Sequence, residues 1–208
     1  MDIKNKEIFN CLNKIITNPK CELNFKNNYE LLVAVCLSAQ CTDKRVNQTT
    51  PKLFEKYPTV YDLANASLSD IMSIIKPCGC YKNKAQNLKL ACTDIVKRFN
   101  GQVPDNLEDL MTLRGVGRKT ANVVLAEAFS KPTIAVDTHV FRVANRLGLA
   151  NSKTVDGVEK ALMAGFDQKD WVKLHHTLIL FGRYYCKAKN PQCENCELKK
   201  YCKYYKEK

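Results

Sequence analysis

Apolar residues recur along this chain at three- and four-residue intervals. Leu31, Leu32, Val35 and Cys36 form one such set, Leu88, Cys92, Ile95 and Val96 a second, and Ala121, Val124, Leu125 and Ala128 a third. That period belongs to helices that turn one face to a core. The first 22 residues repeat it, with Ile3, Phe9, Leu12 and Ile15 interleaved with lysines, which is amphipathic rather than the unbroken apolar core of a signal peptide. Breaks fall at "TNPK", "KYPT", "KPCGC", "NGQVPDN", "SKPT" and "KNPQC", where Pro, Gly and Asn stop a helix, and the intervals between them suit helices of ordinary length. The best strand candidate, "PTIAV" at 132–136, is short and isolated. The pattern predicts an all-α fold without linker, low-complexity tract or internal repeat.

Length and charge narrow the class. The 208 residues can bury a sizeable core in one domain or two. Thirty-three Lys and Arg against 21 Asp and Glu give +12, spread along the chain rather than gathered in a tail, so a polyanionic partner is expected. Nucleic acid and an anionic membrane surface both answer that description. No run reaches the roughly 18 apolar residues of a transmembrane helix, and a cytoplasmic protein is the simplest expectation.

The chain has 11 cysteines, an odd number that argues against a complete disulfide framework. Seven of them (Cys11, Cys21, Cys36, Cys41, Cys78, Cys80 and Cys92) are scattered through apolar or turn contexts, where free cysteine serves as a small buried hydrophobe. The other four, Cys186, Cys193, Cys196 and Cys202, form C-x6-C-x2-C-x5-C. Four thiolates in so short a segment surround either zinc or an iron-sulfur cluster, and spacing alone leaves both open. Zinc ribbons normally offer two C-x2-C knuckles, and this segment has one. The loop "KAKNPQ" between the first two ligands, with Lys199, Lys200, Lys203 and Lys206 after them, would present cations to phosphates.

The stretch "LRGVGRKTANVV" at 113–124 follows a predicted short helix, "DNLEDLMTL", and opens a longer one. Gly115 and Gly117 suit a tight corner between two helices, and the free N–H groups of the second helix suit a phosphate. Asp137 ends the apolar run "TIAV" and reads as a helix N-cap. His139, His175 and His176 lack the spacing of metal ligands and are expected on helix surfaces or in packed positions.

"LRGVGRKTANVVLAEAF" followed by "PTIAVDTHVFRVANRLGL" resembles the helix-hairpin-helix and catalytic loop of the endonuclease III family of DNA repair glycosylases. "ELLVAVCLSAQCTD" at 30–43, "GCYKNKAQNL" at 79–88 and the terminal cysteines extend the resemblance over nearly the whole chain. The resemblance implies two helical domains with a cleft between them. One is a six-helix bundle at 21–132 that holds the helix-hairpin-helix (about 107–128); the other is discontinuous, 1–20 with 133–208, and holds the cluster. It implies a base excision repair enzyme that removes oxidised pyrimidines and cleaves abasic sites by β-elimination. Lys119 matches the amine nucleophile and Asp137 the catalytic carboxylate, the two facing each other across the cleft. Attack requires the unprotonated amine, and the first turn of a helix beside Arg118 opposes a positive charge.

Cys186, Cys193, Cys196 and Cys202 match the ligands of a 4Fe-4S cluster. Gln40 matches one residue that fills the gap left by an extruded base. Cys80 stands where the family usually carries a bulkier wedge such as leucine, and Arg114 where it usually carries proline. Gly115, Gly117, Arg118 and Lys189 complete the expected DNA contacts. The implied partner is double-stranded DNA with damaged or abasic sites, met by a monomer in the cytoplasm at the nucleoid. A monofunctional glycosylase of the same superfamily, a non-catalytic helix-hairpin-helix module and an iron-sulfur electron carrier are the rival readings. Lys119 speaks against the first, and strand cleavage of an abasic duplex would exclude the other two.

Overall fold

The computed structural model describes residues 2–207, and among them every regular element is helical. In chain order these are α1 (Ile3–Ile15), α2 (Asn28–Ser38), α3 (Asp43–Lys56), α4 (Val60–Asn65), α5 (Leu68–Ile75), α6 (Tyr81–Arg98) and α7 (Leu107–Thr112). There follow α8 (Arg118–Phe129), α9 (Thr138–Leu147), α10 (Val155–Gly165), a 3-10 turn (Gln168–Asp170), α11 (Trp171–Tyr184) and α12 (Lys203–Lys206). The segments expected to break helices all lie at or beyond helix ends. "PTIAV" forms no strand; its Ile134, Ala135 and Val136 are buried as chain that leads into α9. No helix among the described residues is long and apolar enough to cross a membrane.

The chain divides into two compact units, Glu22–Lys131 and Met1–Cys21 with Pro132–Lys208. The first holds α2 to α8. It has seven helices, of which the six-residue α4 and α7 each carry a side-chain cap of their own, Thr59 and Asn106. Helix α2 packs against α3, α6 and α8, and α6 against α4 and α5. Leu31, Leu32, Val33, Ala34 and Val35 are all buried, so α2 is covered on every face. The period-3.6 set read from its sequence is only part of what it buries.

The second unit is built around α9, which packs against α10, α11 and α12, while α1 packs on α11. Ile8, Leu12, Val140, Leu147, Leu174 and Leu178 lie at the centre of its core. Ile3 departs from the amphipathic reading and is 81% exposed: as the first residue of α1 it lies beyond the buried stripe of Ile8, Phe9 and Leu12.

Helices α7 and α8 are joined by residues 113–117. Leu113 and Val116 are buried, and the Val116 N–H donates to the Leu113 carbonyl at 3.1 Å. The two glycines do different things. Gly115 has φ +79°, and a Cβ there would stand 2.9 Å from Cβ of Asn87, so both backbone conformation and space demand glycine. Gly117 has φ −93°, open to any residue, and a Cβ there would meet nothing within 4 Å. Gly115→Ala is therefore expected to destabilise the fold by about 1–3 kcal/mol, and Gly117→Ala by no more than about 1 kcal/mol, as measured by urea denaturation.

Candidate active site and metal centre

Five of the seven helices in the 22–131 unit have an Asn, Thr or Ser side chain capping the N-terminus. The exceptions are α6 and α8, whose N-cap residues are Cys80 and Gly117 and which have no side-chain cap. Both positions are among the expected DNA contacts. A helix start without a side-chain cap keeps N–H groups and the positive end of its dipole for an outside acceptor.

Lys119 is the second residue of α8 and half-buried. Its ammonium and that of Lys84 both act on the Cys36 thiol of α2. Burial pushes that thiol up to about 12, and the two lysines oppose the rise. Lys84 is tied to the end of α2, donating to the Leu37 carbonyl at 2.9 Å. Arg114, Gly115, Gly117 and Arg118 are exposed around the turn.

Gln40 and Cys80 are brought together. Gln40 ends the turn after α2 and Cys80 the turn before α6, and the Cys80 thiol faces Gln40 Oε1 at 4.0 Å. Both are exposed, and both have left-handed backbones, φ 53° and 56°. Non-glycine residues in that region are held there by their surroundings at a cost of order 1–3 kcal/mol.

Asp137 caps α9. One oxygen, Oδ1, accepts from the backbone N–H of His139 at 2.9 Å and of Val140 at 2.7 Å. Both capping bonds fall on that oxygen, so Oδ2 takes no part in the cap. The carboxylate is half-buried and its orientation is fixed by the buried run before it.

Two arginines one turn apart on α9, overlooked in the sequence, organise the cysteine segment. Arg142 donates to the carbonyls of Gly182 (2.8 Å) and Cys186 (3.0 Å) and meets His139 Nδ1 at 3.3 Å. Arg146 donates to the carbonyls of Lys187 (2.8 Å) and Ala188 (3.3 Å) and to the sulfur of Cys186 at 3.4 Å. It also lies over the Tyr204 ring, 4.2 Å from its centroid. The i, i+4 spacing in "RVANR" was the available signal. His175 and His176 are buried and stacked on each other at 4.5 Å. Of the lysines near the cysteines, Lys199 donates to the Glu194 carbonyl and Lys203 pairs with Glu207. Lys187 and Lys189 stand exposed on the loop that Arg146 anchors.

Cys186, Cys193, Cys196 and Cys202 line one cavity of about 350 Å³, walled by Ile15, Leu147, Phe181 and Tyr204. Four thiols around one cavity are a donor set for zinc or for an iron-sulfur cluster. Burial pushes the Cys196 thiol up and the three neighbouring sulfurs add to this, against a backbone hydrogen bond from Leu198. Four thiolates here need a cationic metal group to offset their repulsion.

The model of the HhH-GPD superfamily of base excision DNA repair proteins matches residues 33–168, and that of the iron-sulfur binding domain of endonuclease III matches residues 186–202. The chain belongs to the endonuclease III family. Endonuclease III of Bacillus subtilis (strain 168) is 47% identical over 202 residues, covering 95% of this chain and 92% of the relative. That of Escherichia coli (strain K12) is 44% identical over 205 residues, covering 99% and 97%. A solved structure of a trapped endonuclease III-DNA covalent intermediate superimposes with a TM-score of 0.94 at 46% identity, covering 100% of this chain and 99% of that one. As in other endonuclease III proteins, the cofactor is a 4Fe-4S cluster. Protein purified anaerobically is expected to contain about four irons. Cys196→Ser should lose iron and lower the denaturation midpoint of the protein, as read by iron analysis and circular dichroism; stoichiometric zinc without iron would contradict this.

Proposed function

We propose that Lys119 and Asp137 carry the two chemical steps of this enzyme. The protein is a base excision repair enzyme, a bifunctional DNA glycosylase and AP lyase, and its substrate class is double-stranded DNA with an oxidised pyrimidine or an abasic site. The observation that carries the assignment is the turn at Gly117. Its missing Cβ faces open space at a helix start without a side-chain cap, so nothing inside the protein requires glycine there, whereas a close-lying phosphate would. Lys119 follows two residues later. A backbone phosphate held on these N–H groups brings a deoxyribose within reach of an amine.

The chemistry follows from the two side chains. The Lys119 Nζ lone pair attacks C1′ of the sugar as the bond from C1′ to the base nitrogen breaks, and that electron pair leaves with the base. Positive charge develops on the sugar, and Oδ2 of Asp137, which takes no part in the α9 cap, stabilises it and accepts a proton. The sugar ring opens to an iminium on Lys119. Loss of a C2′ proton sends electrons through that iminium and expels the 3′ phosphate; water then releases the amine. A solved covalent endonuclease III-DNA intermediate supports this route.

Gln40 and Cys80 are assigned to the gap left by the extruded base, and Gly115, Gly117 and Arg118 to the phosphates of the hairpin. Lys189 is assigned to a phosphate met by the cysteine loop. The cluster staples that loop through Cys186, Cys193, Cys196 and Cys202, and Arg142 and Arg146 tie it to α9. The cytoplasm at the nucleoid is where such a substrate would be met.

Two outcomes test these roles. Borohydride added during reaction with an abasic duplex should trap a protein-DNA adduct for the native chain and none for Lys119→Gln, while binding persists. Asp137→Asn should keep the amine but slow base excision by about 10²–10³. A native yield of adduct from Lys119→Gln would move the nucleophile elsewhere. Separately, Lys189→Gln should flatten the plot of log affinity against log salt by about 0.9, measured by fluorescence anisotropy, with unchanged thermal stability.

A further inference from the structure

The two turns that carry Gln40 and Cys80 each hold a second cysteine, one residue after Gln40 and two before Cys80. Cys41 is half-buried and Cys78 is fully buried. The Cys78 thiol lies beside the Cys41 thiol and the Thr49 side chain, both of which act on it. The backbone brings the two turns together independently of the thiols. A Cβ at Gly79 would stand 3.5 Å from the Gln40 carbonyl oxygen, and the Cys80 thiol faces Gln40 Oε1. Each turn is closed by its own backbone bond, Cys41 N–H to Ser38 and Cys78 N–H to Ile75, at 3.0 and 2.8 Å. Both thiols are free cysteines, and neither has a part in the excision chemistry or the cluster.

We propose that Cys41 and Cys78 are a redox-active dithiol, a modification site that closes to a disulfide and ties together the two turns bearing Gln40 and Cys80. The oxidant is a low-molecular-weight disulfide. Cys41, the more accessible sulfur, attacks it as the thiolate, expelling one small thiolate and forming a mixed disulfide. Cys78 then attacks the Cys41 sulfur and expels the second. Two protein thiols are oxidised, one external disulfide is reduced to two thiols, and the two protein protons pass to the departing thiolates. Burial, with a smaller contribution from the neighbouring Cys41, pushes the Cys78 thiol up, while Thr49 opposes the rise. That makes Cys78 the resolving partner rather than the first to react.

The consequence rests on the assignment of Gln40 and Cys80 to the base gap. Both backbones are already held in left-handed conformations, and a covalent tie between their turns removes the freedom needed to enter a duplex.

The test uses the holoenzyme under anaerobic conditions with oxidised glutathione, followed by dithiothreitol. Peptide mass mapping should find the Cys41 and Cys78 peptides joined with loss of two hydrogens. Excision from a lesion duplex should fall about tenfold or more and recover on reduction, with the visible absorption of the cluster constant throughout. Cys41→Ala should retain its excision rate through the same treatment. A missing cross-link, a cross-link with an unchanged excision rate, or inhibition that persists in Cys41→Ala would overturn the proposal. Gln40→Ala, assayed without oxidant, tests the gap-filling assignment separately: native excision by that variant would count against the assignment and not against the cross-link, which is read by mass.

Discussion

Helix α9 is the element on which the 1–21 and 132–208 unit depends. Its N-terminus is set by the Asp137 carboxylate, one oxygen accepting two backbone N–H groups. Its buried stripe of Val140, Val143, Ala144 and Leu147 packs into the core. From its other side Arg142 and Arg146 bind the carbonyls of Gly182, Cys186, Lys187 and Ala188. One rigid rod of about 15 Å therefore orients a carboxylate at one end and a cysteine loop along its flank. Helix position is communicated to both through hydrogen bonds to backbone, which tolerate little displacement.

Burial has a cost for Arg142, and the structure meets it. Desolvation lowers the pKa of the guanidinium, with the charge of Arg146 pushing the same way and those of Cys186 and Asp137 opposing it. The planar fork of an arginine reaches several carbonyls at once, which a lysine in the same place would not do. The Cys186 sulfur receives the Arg146 donor directly, so the loop is held by the helix as well as by the metal centre it surrounds.

The 22–131 unit shows a division of labour among its helix ends. Five ends have a short polar side-chain cap, and the two at Cys80 and Gly117, proposed above as DNA contacts, have none. Non-glycine residues with left-handed backbone in this unit are Gln40, Cys80, Asn100 and Ser130, so only the first two coincide with the proposed DNA contacts.

The helical class, the breaks between helices and the short helix before the hairpin were legible in the sequence because they depend on period, on proline and glycine, and on capping residues, all local. So was the crowding of four cysteines into 17 residues. The burial of α2 on all its faces was not, because periodicity reports the face a helix must hide and not how many neighbours surround it. The two glycines of the hairpin look alike as letters, and only Asn87 beside Gly115 and open space beside Gly117 separate a structural glycine from one that leaves room. Arg142, Arg146 and the meeting of Cys41 with Cys78 are contacts between segments 37 to 44 residues apart in the chain. Local propensity carries no information about such pairs; they exist because packing closes the chain on itself, and that the tertiary structure alone decides.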